Sequence, residues 1–455
     1  MRVRRRWVLG LALAAAARSG AVSAGAQDSS IDSAIRGMLD SDDVDRVGVL
    51  AAPLVVLGDR GAVAPLIQML YWLEPALHPP VAAALVQLTG ADHGESWFDW
   101  MVWQQDHPAF VPYGGFLVLL AELVGGLDAR FLRFLKPGMA HTIRLEEIVW
   151  GGVSVDEIPA LDHPTVIPAV SADYLNDDDR VFGAVIGGQA RAWPLRIMAW
   201  HEMVNDTLGG VPVSLPYCTL CQAGILFDGR VAGRAFTFGS SGLLWRSNKL
   251  LYDRQTDSLW NQFTGRPVAG ALSGTATALS VLPLVTTNWR DWRAAHPATT
   301  VLSLETGYVR DYGPGVAYRA YFASPKLYFP AGVGDSKLAP KDKVFGVRTT
   351  GGVKAWPLAL FAGGAVVHDV VGLIDVVLVG DAGREEVRAY AGEGRRFTKV
   401  DDGRLQDAAG IWVIEEGLLR GPGGRTLPRL AGHVAYWFAW AGYFPEIASV
   451  PAVRP

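Results

Sequence analysis

Two cysteines occur among 455 residues, and both lie in the stretch PYCTLCQAG, Pro216 to Gly224. Thiols separated by two residues, as Cys218 and Cys221 are, have three uses. They can open and close a small disulfide, one thiolate attacking and the other resolving, at a rate set by the attacking thiol's pKa. They can hold a soft or borderline metal such as copper or zinc. They can also staple the fold, although a bridge over so short a loop restrains little chain. No second C-x-x-C exists, so a closed four-cysteine zinc site is excluded within one chain.

The nearest companions come from WHEMVND, Trp200 to Asp206. In a redox site, His201 would lower a thiol pKa or carry a proton, and Glu202 or Asp253 would orient it, with Cys218, Cys221, His201 and Glu202 as the expected catalytic set. In a metal site, His201, Cys218 and Cys221 would be three ligands for copper or zinc, with Glu202, His296 or water as the fourth. A third alternative leaves His201 as a core histidine satisfied by Asn205 or Asp206. A zinc-protease helix is disfavoured, because H-E-x-x-H needs a second histidine where Asn205 stands. Downstream, FGSSGLLWRSNKLLYDRQTDSLWNQFTG mixes polar and aromatic residues. Together with Asn205, its Asp253, Arg254, Trp260 and Gln262 are expected to touch a ligand or support the site. The alternative is a turn network in which Asp253 caps and Arg254 forms a structural ion pair. FGSSG lacks the G-x-S-x-G pattern of a nucleophile elbow, which leaves serine hydrolysis without support.

An internal repeat says which elements must position these groups. VFGAVIGGQARAWPL begins at Val181 and VFGVRTTGGVKAWPL at Val344, and both halves close on Trp-x-x-Trp, at Trp289 and Trp437. VFGAVI and ARAWPL are expected to be hairpin arms around Gly187-Gly188. RIMAWHEMVNDTL is expected to be a helix stopping at Gly209-Gly210, with Ile197, Trp200, Val204 and Leu208 on its apolar face. VPVSLPY then forms a strand leading into the cysteines. Without a gap, His201 faces Gly364 and Glu202 faces Ala365, so the first copy reads as equipped and the second as scaffold.

The ordered series WGGVSVDEIPALDHP, ARAWPL, WHEMVND, LPYCTLCQAGILFDG, FGSSGLLWRSNKLLYDRQTDSLWNQFTG and WRDWRAAHPATTVLS resembles the bacterial and archaeal family called domain of unknown function 3179, over about residues 149 to 450. That family name attaches no activity.

Half the residues are hydrophobic and 19% are charged, which suits packed domains. A net charge of −4 gives no basic field for nucleic acid. Residues 1–26 read as a signal peptide, with Arg2, Arg4, Arg5 and Arg6 before a short apolar run and Ala24-Gly25-Ala26 as the cleavage site. An exported chain, periplasmic or extracellular and without a transmembrane segment in its mature form, is therefore expected. Residues 27–148 read as a helical domain of HEAT-like character, from LGDRGAVAPLIQML and PPVAAALVQLTG. Residues 149–305 read as the first repeat unit, and 306–455 as a second, degenerate one. The expected class is α+β, two duplicated mostly-β units with short helices behind the helical domain. The leading functional expectation is a thiol/disulfide redox protein with an unidentified redox or protein partner. The alternatives are a non-catalytic copper or zinc carrier and a recognition module whose helical N-terminal domain binds a partner protein.

Overall fold

The computed structural model describes residues 24–334, 336 and 338–444. All but the last three residues of the expected signal peptide lie outside them. The chain divides into two compact units, Met1–Met139 with Ile143–Ile148, and Ala140–Thr142 with Val149–Pro455.

The first unit is helical, and its punctuation is local. Asp43 caps the helix Val44–Leu57 by accepting the Asp45 amide, and Gly58, at φ 62°, ends it. Gly90, at φ 75°, ends His78–Thr89 in the same way. Between them Val63–Trp72 is buried from Val63 to Leu70, so it forms the centre of this unit. The tryptophan-rich sequence SWFDWMVW, Ser96 to Trp103, enters the helix Trp97–Asp106, started by Ser96 Oγ accepting from the Asp99 amide. Trp100 is fully buried, its indole N–H donating to the Gly94 carbonyl at 2.8 Å. Among the described residues no helix is long and apolar enough to cross a membrane.

The second unit is α+β and built mainly from sheets. Arg180–Ile186 and Gln189–Pro194 form the expected hairpin, Phe182 opposite Trp193, around Gly187-Gly188 with φ of 54° and 76°. Both glycines occupy left-handed backbone, which a side chain would strain. Val285–Asn288 lines the outer edge of this hairpin and runs into the short helix Trp289–Ala295. Trp292 of that helix lies so close over Gly183 that a Cβ there would come within 2.4 Å of its ring. Lys343–Thr349, Gly352–Pro357 and Gly432–Tyr436 make a three-stranded sheet, the last strand running into the helix Trp437–Tyr443. Here a Cβ on Gly346 would come within 2.1 Å of the Trp440 ring. A further eight-stranded antiparallel sheet runs from Ala365–Val371 to Thr398–Asp401 in space. Its two ends nearly meet, the Phe397 amide donating to His368 Nε2 at 2.8 Å, which makes a barrel-like sheet around Tyr390, Leu405 and Trp412.

One expected element is corrected. The helix after the first hairpin covers only Leu195–His201. Glu202 turns into left-handed backbone at φ 54°, and Met203–Leu208 is a strand paired with Val211–Cys218 around Gly209-Gly210. Two β-branched residues, a glycine pair suited to a hairpin turn and a strand partner directly downstream outweigh helical periodicity here. Val204, Asn205 and Leu208 therefore belong to a sheet. Asn205 is not one helical turn from His201.

Candidate functional site

Val211–Cys218 delivers the first cysteine at its C-terminal end, and a turn brings the second back. The Cys221 amide donates to the Cys218 carbonyl at 3.2 Å, and Gln222 takes φ 50° to leave the turn. The loop is held on several sides. Gln262 Nε2 donates to the carbonyls of Pro216 at 3.2 Å and Ala223 at 2.7 Å. Tyr321 OH donates to the Leu220 carbonyl at 2.8 Å, and the Tyr436 amide donates to the Cys221 carbonyl at 2.8 Å.

The two sulfurs lie 2.9 Å apart as free thiols, Cys218 2% exposed and Cys221 fully buried. A disulfide would bring them to about 2.05 Å. Cys221 also points its S–H at the Ser247 carbonyl, 3.5 Å away. Burial pushes the Cys221 thiol well above the ordinary range, the adjoining Cys218 and Glu202 add to this, and Lys249 opposes it.

Glu202 is the centre of the surrounding polar groups. Its buried carboxylate takes the Lys249 ammonium at 2.8 Å, Thr219 Oγ1 at 2.6 Å and Tyr318 OH at 3.1 Å. Lys249 Nζ also donates to the Glu202 carbonyl at 3.3 Å. The left-handed turn at Glu202 allows this, because its own carbonyl also receives the Tyr217 amide at 2.9 Å, tying it to the strand that carries Cys218. The carboxylate holds Tyr318 OH well above its ordinary range, with burial next in effect.

His201 stands apart from the thiols. Nδ1 lies 2.9 Å from the Pro159 carbonyl and Nε2 2.6 Å from Tyr312 OH, so both ring nitrogens are engaged elsewhere. Burial lowers its pKa, against the hydrogen bond to Pro159. His296 lies against the Trp292 ring and 3.7 Å from Glu416. Among the described residues no three His, Cys, Asp or Glu side chains gather as a metal set.

The remaining expected side chains build the frame. Asn205 Nδ2 donates to Asp162 at 2.7 Å and to the Phe238 carbonyl at 2.9 Å, stitching its strand to Phe238–Trp245. Asp253 accepts from the Thr256 amide and hydroxyl and from Trp260 Nε1 at 2.7 Å, closing the turn between Asn248–Asp253 and Leu259–Asn261. Arg254 pairs with Asp162 at 2.8 Å near the surface. Of the expected group, only Glu202 and Gln262 join the cysteine loop directly.

Lys249, Thr219, Tyr318 and Tyr321 complete the site, and the sequence reasoning missed them. Lys249 carried one signal, a lone cation in the strand pattern NKLLYD. The two tyrosines come from the segment joining the halves, where no periodicity marks them. Ser247 Oγ and both side-chain amide atoms of Asn248, beside the Cys221 contact, are buried without a partner. On the other side of the loop a cleft of about 320 Å³ is lined by Tyr217, Gln222, Ala317, Phe322 and Arg196.

The family described as "Protein of unknown function (DUF3179)" matches residues 155–447. The chain belongs to this family. The match covers the hairpins, the cysteine loop and the barrel-like sheet of this DUF3179 protein, and it begins after the helical unit. No curated protein and no solved structure gives a significant match.

Proposed function

We propose that this DUF3179 protein is an exported thiol/disulfide redox protein working through Cys218 and Cys221. The observation that carries the reading is the pair itself: the chain's only two cysteines, 2.9 Å apart, beside a buried ion pair. The reacting partner is a disulfide, R–S–S–R. Cys218 as thiolate attacks one sulfur and releases one R–SH. Cys221 then gives up its proton and attacks the Cys218 sulfur of the mixed disulfide, releasing the second R–SH. The chain loses two electrons, the partner gains them, and the two thiol protons leave with the two R–SH. Cys221, fully buried and holding its proton, suits the resolving role. At Cys221, Lys249 favours the thiolate and Glu202 opposes it, so the ion pair sets the balance there in place of His201.

Access requires movement of the segment that carries Tyr318 and Tyr321, whose hydroxyls bond to Glu202 and the Leu220 carbonyl. We further infer that the two hairpin units are a duplication. Supporting this are the equivalent strand pairs Phe182 with Trp193 and Phe345 with Trp356, and the equivalent glycine–tryptophan contacts at Gly183 and Gly346.

Reduction of a small aromatic disulfide by the reduced protein tests the proposal. Cys218→Ser is expected to abolish turnover, and Cys221→Ser to trap a mixed disulfide visible by mass. Equal activity in wild type and both variants would overturn it. Stoichiometric copper or zinc on freshly purified wild type, lost in the same variants, would favour the carrier.

A further inference from the structure

A second feature lies where strands of the two repeats meet, and its cation comes from the repeat that reads as scaffold. Gly346 and Arg348 sit two residues apart on Lys343–Thr349, so they share a face of that strand. At the equivalent of Arg348 the first repeat has Val185, so the arginine is particular to the second copy. Arg348 lines a partly open cavity of about 140 Å³ with His433, Trp440, Ile225, Leu282 and Leu284.

The walls of this cavity have donors and no acid. Among the described residues Arg348 has neither a carboxylate partner nor a hydrogen-bond acceptor, and its guanidinium lies 5.7 Å from the Phe444 ring. His433 stacks on Trp440 with ring centroids 4.6 Å apart. His433 Nε2 and the Trp440 indole N–H are both buried without a partner. Arg266 adds a second positive charge in the vicinity, and burial together with that charge lowers the Arg348 guanidinium to about 10, so it stays a cation at neutral pH. Arg348 is only half-buried, but the buried indole N–H of Trp440 is costly unless an acceptor completes it, and the unpaired guanidinium beside it would strengthen the hold on such an acceptor. The rest of the lining is aliphatic. At about 30 Å³ per water, the space suits roughly four or five non-hydrogen atoms.

We propose that this cavity binds a short-chain carboxylate, its carboxylate on Arg348 within reach of Trp440 and His433, and its alkyl tail against Ile225, Leu282 and Leu284. A guanidinium fork matches a carboxylate in two parallel hydrogen bonds, which no monatomic anion can use.

Calorimetric titration of the full chain with propionate tests this, with the change in tryptophan emission that Trp440→Phe removes as a second readout. Saturable one-to-one binding is expected, weakened at least tenfold in Arg348→Gln. Leu284→Phe, which fills the apolar end and leaves the cation in place, should weaken it as much, and it serves as the decisive variant if Arg348→Gln does not fold. Hexanoate should bind at least tenfold more weakly than propionate. Absence of saturable binding, unchanged affinity in Leu284→Phe, or equal affinity for chloride would overturn the proposal.

Discussion

Lys249→Met exposes the energetics of the site most sharply. The Lys249 and Glu202 side chains are 4% and 7% exposed and 2.8 Å apart. Removing one member of such a buried pair costs about 3–5 kcal/mol, because the other charge stays behind in a poor solvent. After Lys249→Met the carboxylate keeps Thr219 and Tyr318 as donors, which places the cost near ~3 kcal/mol. After Glu202→Gln the ammonium keeps only the Glu202 carbonyl at 3.3 Å and the weak amide oxygen, which places it nearer ~5 kcal/mol. The double variant buries no charge and should cost less than either single change. Pulse alkylation along a urea gradient reads this without interference from the helical unit, since both cysteines lie in the second unit. Single costs of about 1 kcal/mol or less, the value for an exposed pair, would refute the reasoning. So would a double variant whose cost equals the sum of the two singles.

Three further outcomes follow from the same geometry. Glu202→Gln removes a charge that opposes the Cys221 thiolate, and Lys249→Met removes one that favours it. The ultraviolet titration of the thiolate should therefore move to lower pH in the first and higher pH in the second; shifts of the same sign would contradict the assignment. Tyr321→Phe removes the hydroxyl that holds the Leu220 carbonyl. For a hydrogen bond worth about 1 kcal/mol, alkylation of the native thiols should quicken about fivefold, and an unchanged rate would show that this contact does not guard the loop. His201 and His433 are both held below the usual histidine range by burial. The unfolded chain takes up their protons as pH falls through about 6.5 while the folded chain does not, so stability should fall with pH below that point. His201→Gln should flatten the slope, and an equally steep slope would refute the assignment.

Sequence alone located much of the frame. The hairpin around Gly187-Gly188 was legible because two glycines between alternating arms leave few other conformations. The cysteine loop was legible because nothing else in the chain carries a thiol. What failed was the segment after the first hairpin, where helical spacing at Ile197, Trp200 and Val204 competed with a strand partner downstream, and pairing won at Glu202. That single left-handed residue turned His201 toward Pro159 and Tyr312 and brought Glu202 to Lys249. Lys249 was unreadable as a partner because its neighbour lies 47 positions away in the chain. Asp253 and Arg254 showed their types but not their work, since turn capping and ligand binding use the same groups.

The central claim is that Cys218 and Cys221 interconvert between dithiol and disulfide in the folded protein. Equilibration in glutathione buffers of stepped redox ratio, acid quenching and intact-mass measurement test it directly. The expected result is a reversible loss of two hydrogens with one midpoint, absent in Cys218→Ser. A pair that stays dithiol across every ratio, in protein that remains folded, would contradict it.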